Sequence, residues 1–213
     1  MCYNYEVSVT SFVIGIVGTI INMIVFKKNP LYLGINFFWI GVILMQLWEA
    51  IIWKDYKCEL FSKIAKYTNI IQPILLLIVL LIPNYIKKNK INLKLVYLVL
   101  GVYILSIFPM ILKDYGCIKD KDGIVLKWWD IISGTNYLIT IFVLFKLLLP
   151  NRIFKYQSLI VIVNLIIANV FHFVENKNYM KSIMELPGRL GSIWCWVAAI
   201  APFYNYFLFK HNI

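Results

Sequence analysis

Apolar runs of about 20 residues, the length an α-helix needs to cross a hydrocarbon layer of about 30 Å, recur seven times in this chain. They lie near 7–26, 31–53, 67–86, 92–112, 128–149, 156–175 and 187–209. A bilayer offers backbone groups no water, so each run is expected to satisfy its own N–H and C=O groups as a helix. Turn chemistry fills the breaks: Lys27-Lys28-Asn29-Pro30, Lys87-Lys88-Asn89-Lys90 and Leu149-Pro150-Asn151-Arg152. No internal repeat, low-complexity tract or long linker divides the 213 residues. The expectation is an all-α fold, a polytopic transmembrane bundle of seven helices forming one domain over 1–213.

A hydrophobic fraction of 62% and a mean hydropathy of +0.78 lie well above those of soluble domains. The net charge of +11 would suggest nucleic acid in a soluble chain. Here the basic residues sit in short loops between apolar runs, and no basic stripe interleaves with aromatics, so the expected partner is the lipid bilayer and not nucleic acid. The start, Met1-Cys2-Tyr3-Asn4-Tyr5-Glu6, lacks the basic region of a cleaved signal, so the first helix is expected to stay in the mature protein.

Alternate loops face opposite sides of a membrane, and their charges differ. One side receives Lys27, Lys28, Lys87, Lys88, Lys90, Lys94, Lys146, Arg152, Lys155 and Lys210 with no acid among them. The other side, with the helix ends nearest it, receives the remaining basic residues and all ten acidic ones. The basic-residue bias makes the first set cytoplasmic, with the N-terminus outside and the C-terminus inside.

Sorted by depth on that orientation, the polar residues within spans fall mostly in the outer half. Gln46, Glu49 and Trp53 share one face of the second helix at i, i+3 and i+7. A carboxylate at the centre of a span costs about 2.5–3.5 kcal/mol on insertion scales, so Glu49 is expected to face protein or water. Gln72 of the third helix, Asn136 of the fifth, His172 of the sixth, and Arg189, Ser192 and Trp196 of the seventh lie at similar depth. With Gln46 and Glu49 they form a candidate outward-facing pocket for a small molecule, lipid or ion. The blander reading is a polar face that only specifies packing. In the inner half, Asn22, Asn36 and Asn205 fit interhelical hydrogen bonds. Gly191, Cys195, Ala198 and Pro202 give the seventh helix a small-residue packing face, and Pro73, Pro109 and Pro202 fit kinked helices.

Cys58 and Cys117 each fall shortly beyond a helix end in two different outer loops. An oxidising compartment would allow a disulfide between them; free or lipid-modified thiols, and pairing with Cys2, are the alternatives. No HExxH, paired CxxC, P-loop or GxSxG occurs, and the two histidines, His172 and His211, are too few for the seven-helix zinc hydrolases related to alkaline ceramidases. Lys210 sits only at the inner end of the seventh helix, which disfavours a retinal Schiff base. The sequence assigns no catalytic residue, metal or cofactor, and leaves oligomeric partners open.

The pieces Met45-Gln46-x-x-Glu49-x-x-x-Trp53, Gln72-Pro73 and Gly191-Ser192-x-Trp194-Cys195-Trp196, set within seven short-looped helices, resemble a family of multi-pass membrane proteins encoded by large DNA viruses. The resemblance implies a host-cell or virion membrane. The family carries no assigned activity, so no residue role follows from it. Two functional classes are left: a receptor-like binder or small transporter, and a structural membrane protein of a virion or infected cell. The absence of repeats weighs against alternating access.

The orientation is testable. Single cysteines placed in residues 87–94 should resist an impermeant thiol reagent on intact cells, and those in residues 119–123 should react; the reverse pattern would invert the depth assignment.

Overall fold

The computed structural model describes residues 5–54, 58–113, 116–120, 123–126, 131–175 and 197–211. Its helices are α1 (Tyr5–Val25), α2 (Pro30–Lys54), α3 (Cys58–Leu75), the one-turn α4 (Tyr85–Lys88), α5 (Leu93–Leu112), α6 (Ile131–Leu148), α7 (Asn151–Glu175) and α8 (197–210). α3 continues without a break as a 3-10 helix over Leu76–Leu81. Among the described residues, four helices are long and apolar enough to cross a membrane: α1, α2, Cys58–Leu81 and α5. One departure from an all-helical chain is a small hairpin of β1 (Cys117–Asp120) and β2 (Gly123–Leu126), antiparallel with Cys117 opposite Leu126 and Asp120 opposite Gly123. Its β-branched Ile118, Ile124 and Val125 suit strands better than the loop expected there.

The third apolar helix begins at Cys58, not near residue 67, and α7 begins at Asn151, not near 156. Both early starts have one cause. Lysines at a helix end look like loop in a hydropathy reading, yet Lys63 and Lys66, or Arg152 and Lys155, continue the helix once their heads find water or a partner. Of the expected seventh run, residues 187–196 lie outside the described residues.

The burial pattern of α1 identifies its surroundings. Its buried residues are Ser8, Ser11, Gly15, Gly18, Thr19 and Asn22, all small or polar. Its exposed ones include Val13, Ile14, Val17, Ile20, Ile21, Ile24 and Val25. A soluble helix does the opposite, so α1 is suited to lipid outside and close helix packing inside. α3 repeats the pattern, with Ser62, Lys66, Asn69 and Gln72 buried and Leu60, Ile71 and Ile74 exposed. α5 turns Leu98, Val102, Leu105, Phe108 and Leu112 outward. Such apolar area facing outward is far beyond that of a water-soluble monomer, and the protein is membrane-embedded.

α2 is the axis of the bundle, packed by α1 on one side and by α3 with its 3-10 extension on another. Its large side chains Phe38 and Trp39 are 1% and 0% exposed. Phe38 meets Phe145 of α6 edge to face at 5.4 Å. The ends of the helices meet in two groups. At one end Tyr32 stacks on Phe209 of α8 with ring centroids 3.9 Å apart, and Phe26 packs edge-on against both. At that same end the Tyr85 hydroxyl donates to Leu148 O at 2.7 Å, and burial pushes this hydroxyl up to about 12, so it stays a neutral donor. All ten residues of the acid-free basic set are exposed, and most lie in the turns and helix termini at this basic end. The opposite, hairpin end carries the end of α2, the start of α3 and β1.

Pro73 removes one donor from α3, and a neighbouring carbonyl, Ile70 O, accepts a bond from the Tyr103 hydroxyl of α5 at 3.2 Å. On α1, Gly15 and Gly18 let α8 approach closely. A Cβ on Gly15 would lie 2.8 Å from Ala198 O and 3.0 Å from Ile43 Cγ1. Because the first obstacle is backbone, Gly15→Ala should force helices apart and cost about 1–3 kcal/mol of stability in detergent. Gly101→Ala on α5, where a Cβ meets nothing within 4 Å, should cost nothing; equal effects of the two on thermal unfolding would contradict the α1–α8 contact.

Candidate functional site

Gln46 and Glu49 are placed on the buried side of α2, 1% and 4% exposed. The helix presents them together because three residues is nearly one turn. Trp48, one residue before Glu49, points toward α3, where its indole Nε1 donates to Thr68 Oγ1 at 2.9 Å and its ring stacks on Phe61 at 6.4 Å. Thr68 Oγ1 in turn donates to Ile64 O at 2.9 Å. These contacts fix the antiparallel register of α2 and α3 and bring the level of Glu49 close to that of Lys66.

Lys66 is the residue that the sequence reading missed. It is 0% exposed, and its Nζ donates to Ile111 O at 2.9 Å and Lys113 O at 3.0 Å. Those carbonyls belong to the C-terminus of α5, the negative end of its dipole and the place where a cation is most favourable. The signal was present as a polar stripe, Ser62, Lys66, Asn69 and Gln72 at helical spacing. It was hidden because the helix was expected to start after Lys66.

Gln72 sits deeper and its orientation is determined by its partners. Its Nε2 donates to Gly41 O at 2.9 Å, a group that only accepts, so its Oε1 faces the other way and accepts from the Tyr137 hydroxyl of α6. The side chain is 0% exposed and joins α2, α3 and α6. Gly41 permits this, since a Cβ there would lie 3.2 Å from Gln72 Cγ and 2.7 Å from Leu75 Cδ1. With a bond at each end of its amide, Gln72 ties the three helices together. Asn136, beside Tyr137, is half-buried.

Gln46 and Glu49 are thus buried on one face of α2, and Lys66 and Asn69 are buried on α3. His172 lies within α7, but its side chain, like the whole of Arg189, Ser192 and Trp196, is outside the described residues. Among the described residues no cluster of His, Cys, Asp and Glu could hold a metal ion. Among the described residues, α2 and α3 bury one carboxylate, Glu49, one ammonium, Lys66, and the amides of Gln46 and Asn69.

Cys58 opens α3 and Cys117 opens β1, and their Cα atoms are 6.0 Å apart, near the commonest separation of a bonded pair. The pairing ties the start of α3 to the hairpin at the same end as Glu49 and Lys66. The chain matches no protein-family model, no curated protein and no solved structure.

Non-reducing peptide mapping of protein from an oxidising compartment should recover Cys58 and Cys117 in one linked peptide. Recovery of both as free thiols would leave the hairpin held by non-covalent contacts alone.

Proposed function

We propose that the chain is a seven-span integral membrane protein, N-terminus outside and C-terminus cytoplasmic, that takes a small polar or cationic solute at an outward-facing site around Glu49. The observation that carries this reading is a carboxylate only 4% exposed, beside an amide 1% exposed, on one face of the central helix. A group so costly to bury is rare in a span unless it serves binding or transport. It lies toward the hairpin end, opposite the loops that carry ten basic residues and no acid. The grouping of helix ends supports the topology. Cys58 and Cys117 meet at one end, Tyr85 and Leu148 at the other, as alternating traverses require. The resemblance to multi-pass proteins of large DNA viruses makes a host-cell or virion membrane the proposed location.

A structural membrane protein without a ligand is the second reading, favoured by Gln72, whose amide ties three helices together. Thermal unfolding of the purified protein with a panel of small organic cations and lipid headgroups separates the two. A probe at 100 times its dissociation constant adds about 2.7 kcal/mol to stability. Wild type is expected to gain such a shift from at least one probe, and Glu49→Gln to lose it while remaining folded. If no probe stabilises wild type, the binding reading fails and the structural one stands.

A further inference from the structure

At the basic end, four helices contribute neutral polar side chains to one layer: Asn22 of α1, Asn36 of α2, Gln157 and Ser158 of α7, and Asn205 of α8. Ser158 is 6% exposed and the others 0%. Their mutual bonds fix which way the amides point. An indole nitrogen only donates, so the 2.9 Å bond from Trp39 Nε1 makes Gln157 Oε1 the acceptor, and Gln157 Nε2 then donates to Asn205 Oδ1 at 2.7 Å. Asn205 Nδ2 is left as a spare donor. A backbone carbonyl only accepts, so the 2.6 Å bond from Asn22 Nδ2 to Pro202 O leaves Asn22 Oδ1 as a spare acceptor.

Those two atoms, the Ser158 hydroxyl and both amide atoms of Asn36 have no hydrogen-bond partner among the described residues. Their helices are linked at a similar level of the bundle, by Asn22 to Pro202, Trp39 to Gln157 and Gln157 to Asn205. Asn36 is one turn before Trp39, Ser158 follows Gln157, and Asn205 is one turn after Pro202. Folded proteins rarely leave buried donors and acceptors unmatched, and rarer still is a group of them with both polarities. Whatever matches them must donate and accept at once. It carries no charge, because the layer offers neither carboxylate nor ammonium, and Arg152, Lys155 and Lys210 are exposed at the surface. Asn36 and Gln157 are each six residues inside their helices, about 9 Å from the bundle end, which is within easy reach of the aqueous face.

We propose that this layer is a hydration site, in which a cluster of about two or three ordered waters, each making about three bonds, bridges Asn36 to Asn22 and Asn205. The cluster joins α1, α2, α7 and α8 through water where the side chains do not reach one another, and it stands independently of any solute at Glu49.

A density map of the full chain in lipid nanodiscs, at a resolution that shows ordered water, tests this directly. Expected is discrete density within hydrogen-bond distance of the Asn36 amide and of Asn22 Oδ1 or Asn205 Nδ2. A dry layer in such a map, or an Asn36 amide bonded straight to a protein or lipid group, overturns the proposal. Substitution reads the same point by sign. Asn36→Leu keeps the branched shape, at a larger volume, and removes the polar atoms, so it should lower the Tm where waters depend on them. An unchanged or higher Tm would mean a dry layer relieved of unmatched groups. Should Asn36→Leu fail to fold, Asn36→Ser decides: further water can replace the lost amide, so the Tm should stay within about 2 °C of wild type, and a larger fall counts against hydration.

Discussion

A polar group facing hydrocarbon has no solvent to bond, and the arrangement of this bundle follows from that constraint. α1 turns its serines and Asn22 inward, α3 its Ser62, Lys66, Asn69 and Gln72, and both turn most of their isoleucines, leucines and valines away from the buried face. What holds them against α2 is close approach over glycines together with directed bonds, since lipid is as apolar as any leucine side chain they might bury. α2, covered on several sides, is the one helix that can be rich in large apolar side chains and also carry Asn36, Gln46 and Glu49 in its buried set.

The interhelical bonds are few but specific in direction. Trp39 to Gln157 to Asn205 links three helices in one chain of donors and acceptors, and Gly41, Gln72 and Tyr137 link another three. In both, a group that can only donate or only accept sets the sense of every amide after it. Neither chain tolerates a slip of one residue along α2, because the amide would then meet carbon. Register is thereby assigned to hydrogen bonds and bulk contact to the aromatic cluster of Phe26, Tyr32 and Phe209.

Composition and run length were enough to place α1, α2 and α5, because nothing but a helix can satisfy so long an apolar segment in lipid. They were not enough to place the start of α3, since hydropathy discounts lysine wherever it stands and cannot see that the α5 carbonyls receive Lys66. Glu49 and Gln46 were legible as a buried pair from spacing alone. The part played by Gln72 was not, because it depends on a glycine carbonyl 31 residues away and on a tyrosine hydroxyl 65 residues away. The Asn22 and Asn205 contacts followed the expectation of interhelical bonding, while Asn36 finds no partner among the described residues. The hairpin at Cys117–Leu126 was lost between two apolar runs, where a short β-branched segment is easily taken for loop.

The tightly wound end of the third helix bears on how the chain sits across its membrane. Eighteen α-helical residues and six 3-10 residues rise about 1.5 and 2.0 Å each, so Cys58–Leu81 is about 39 Å long against a hydrocarbon layer of about 30 Å. If the excess of about 9 Å lies at the Cys58 end, nearly two turns stand clear of the lipid tails, and there Glu59 and Lys63 are exposed. The junction of hydrocarbon and headgroups then falls close to Lys66. A lysine that looks forbidden by its 0% exposure would stand at the shoreline, its ammonium held by the last carbonyls of α5.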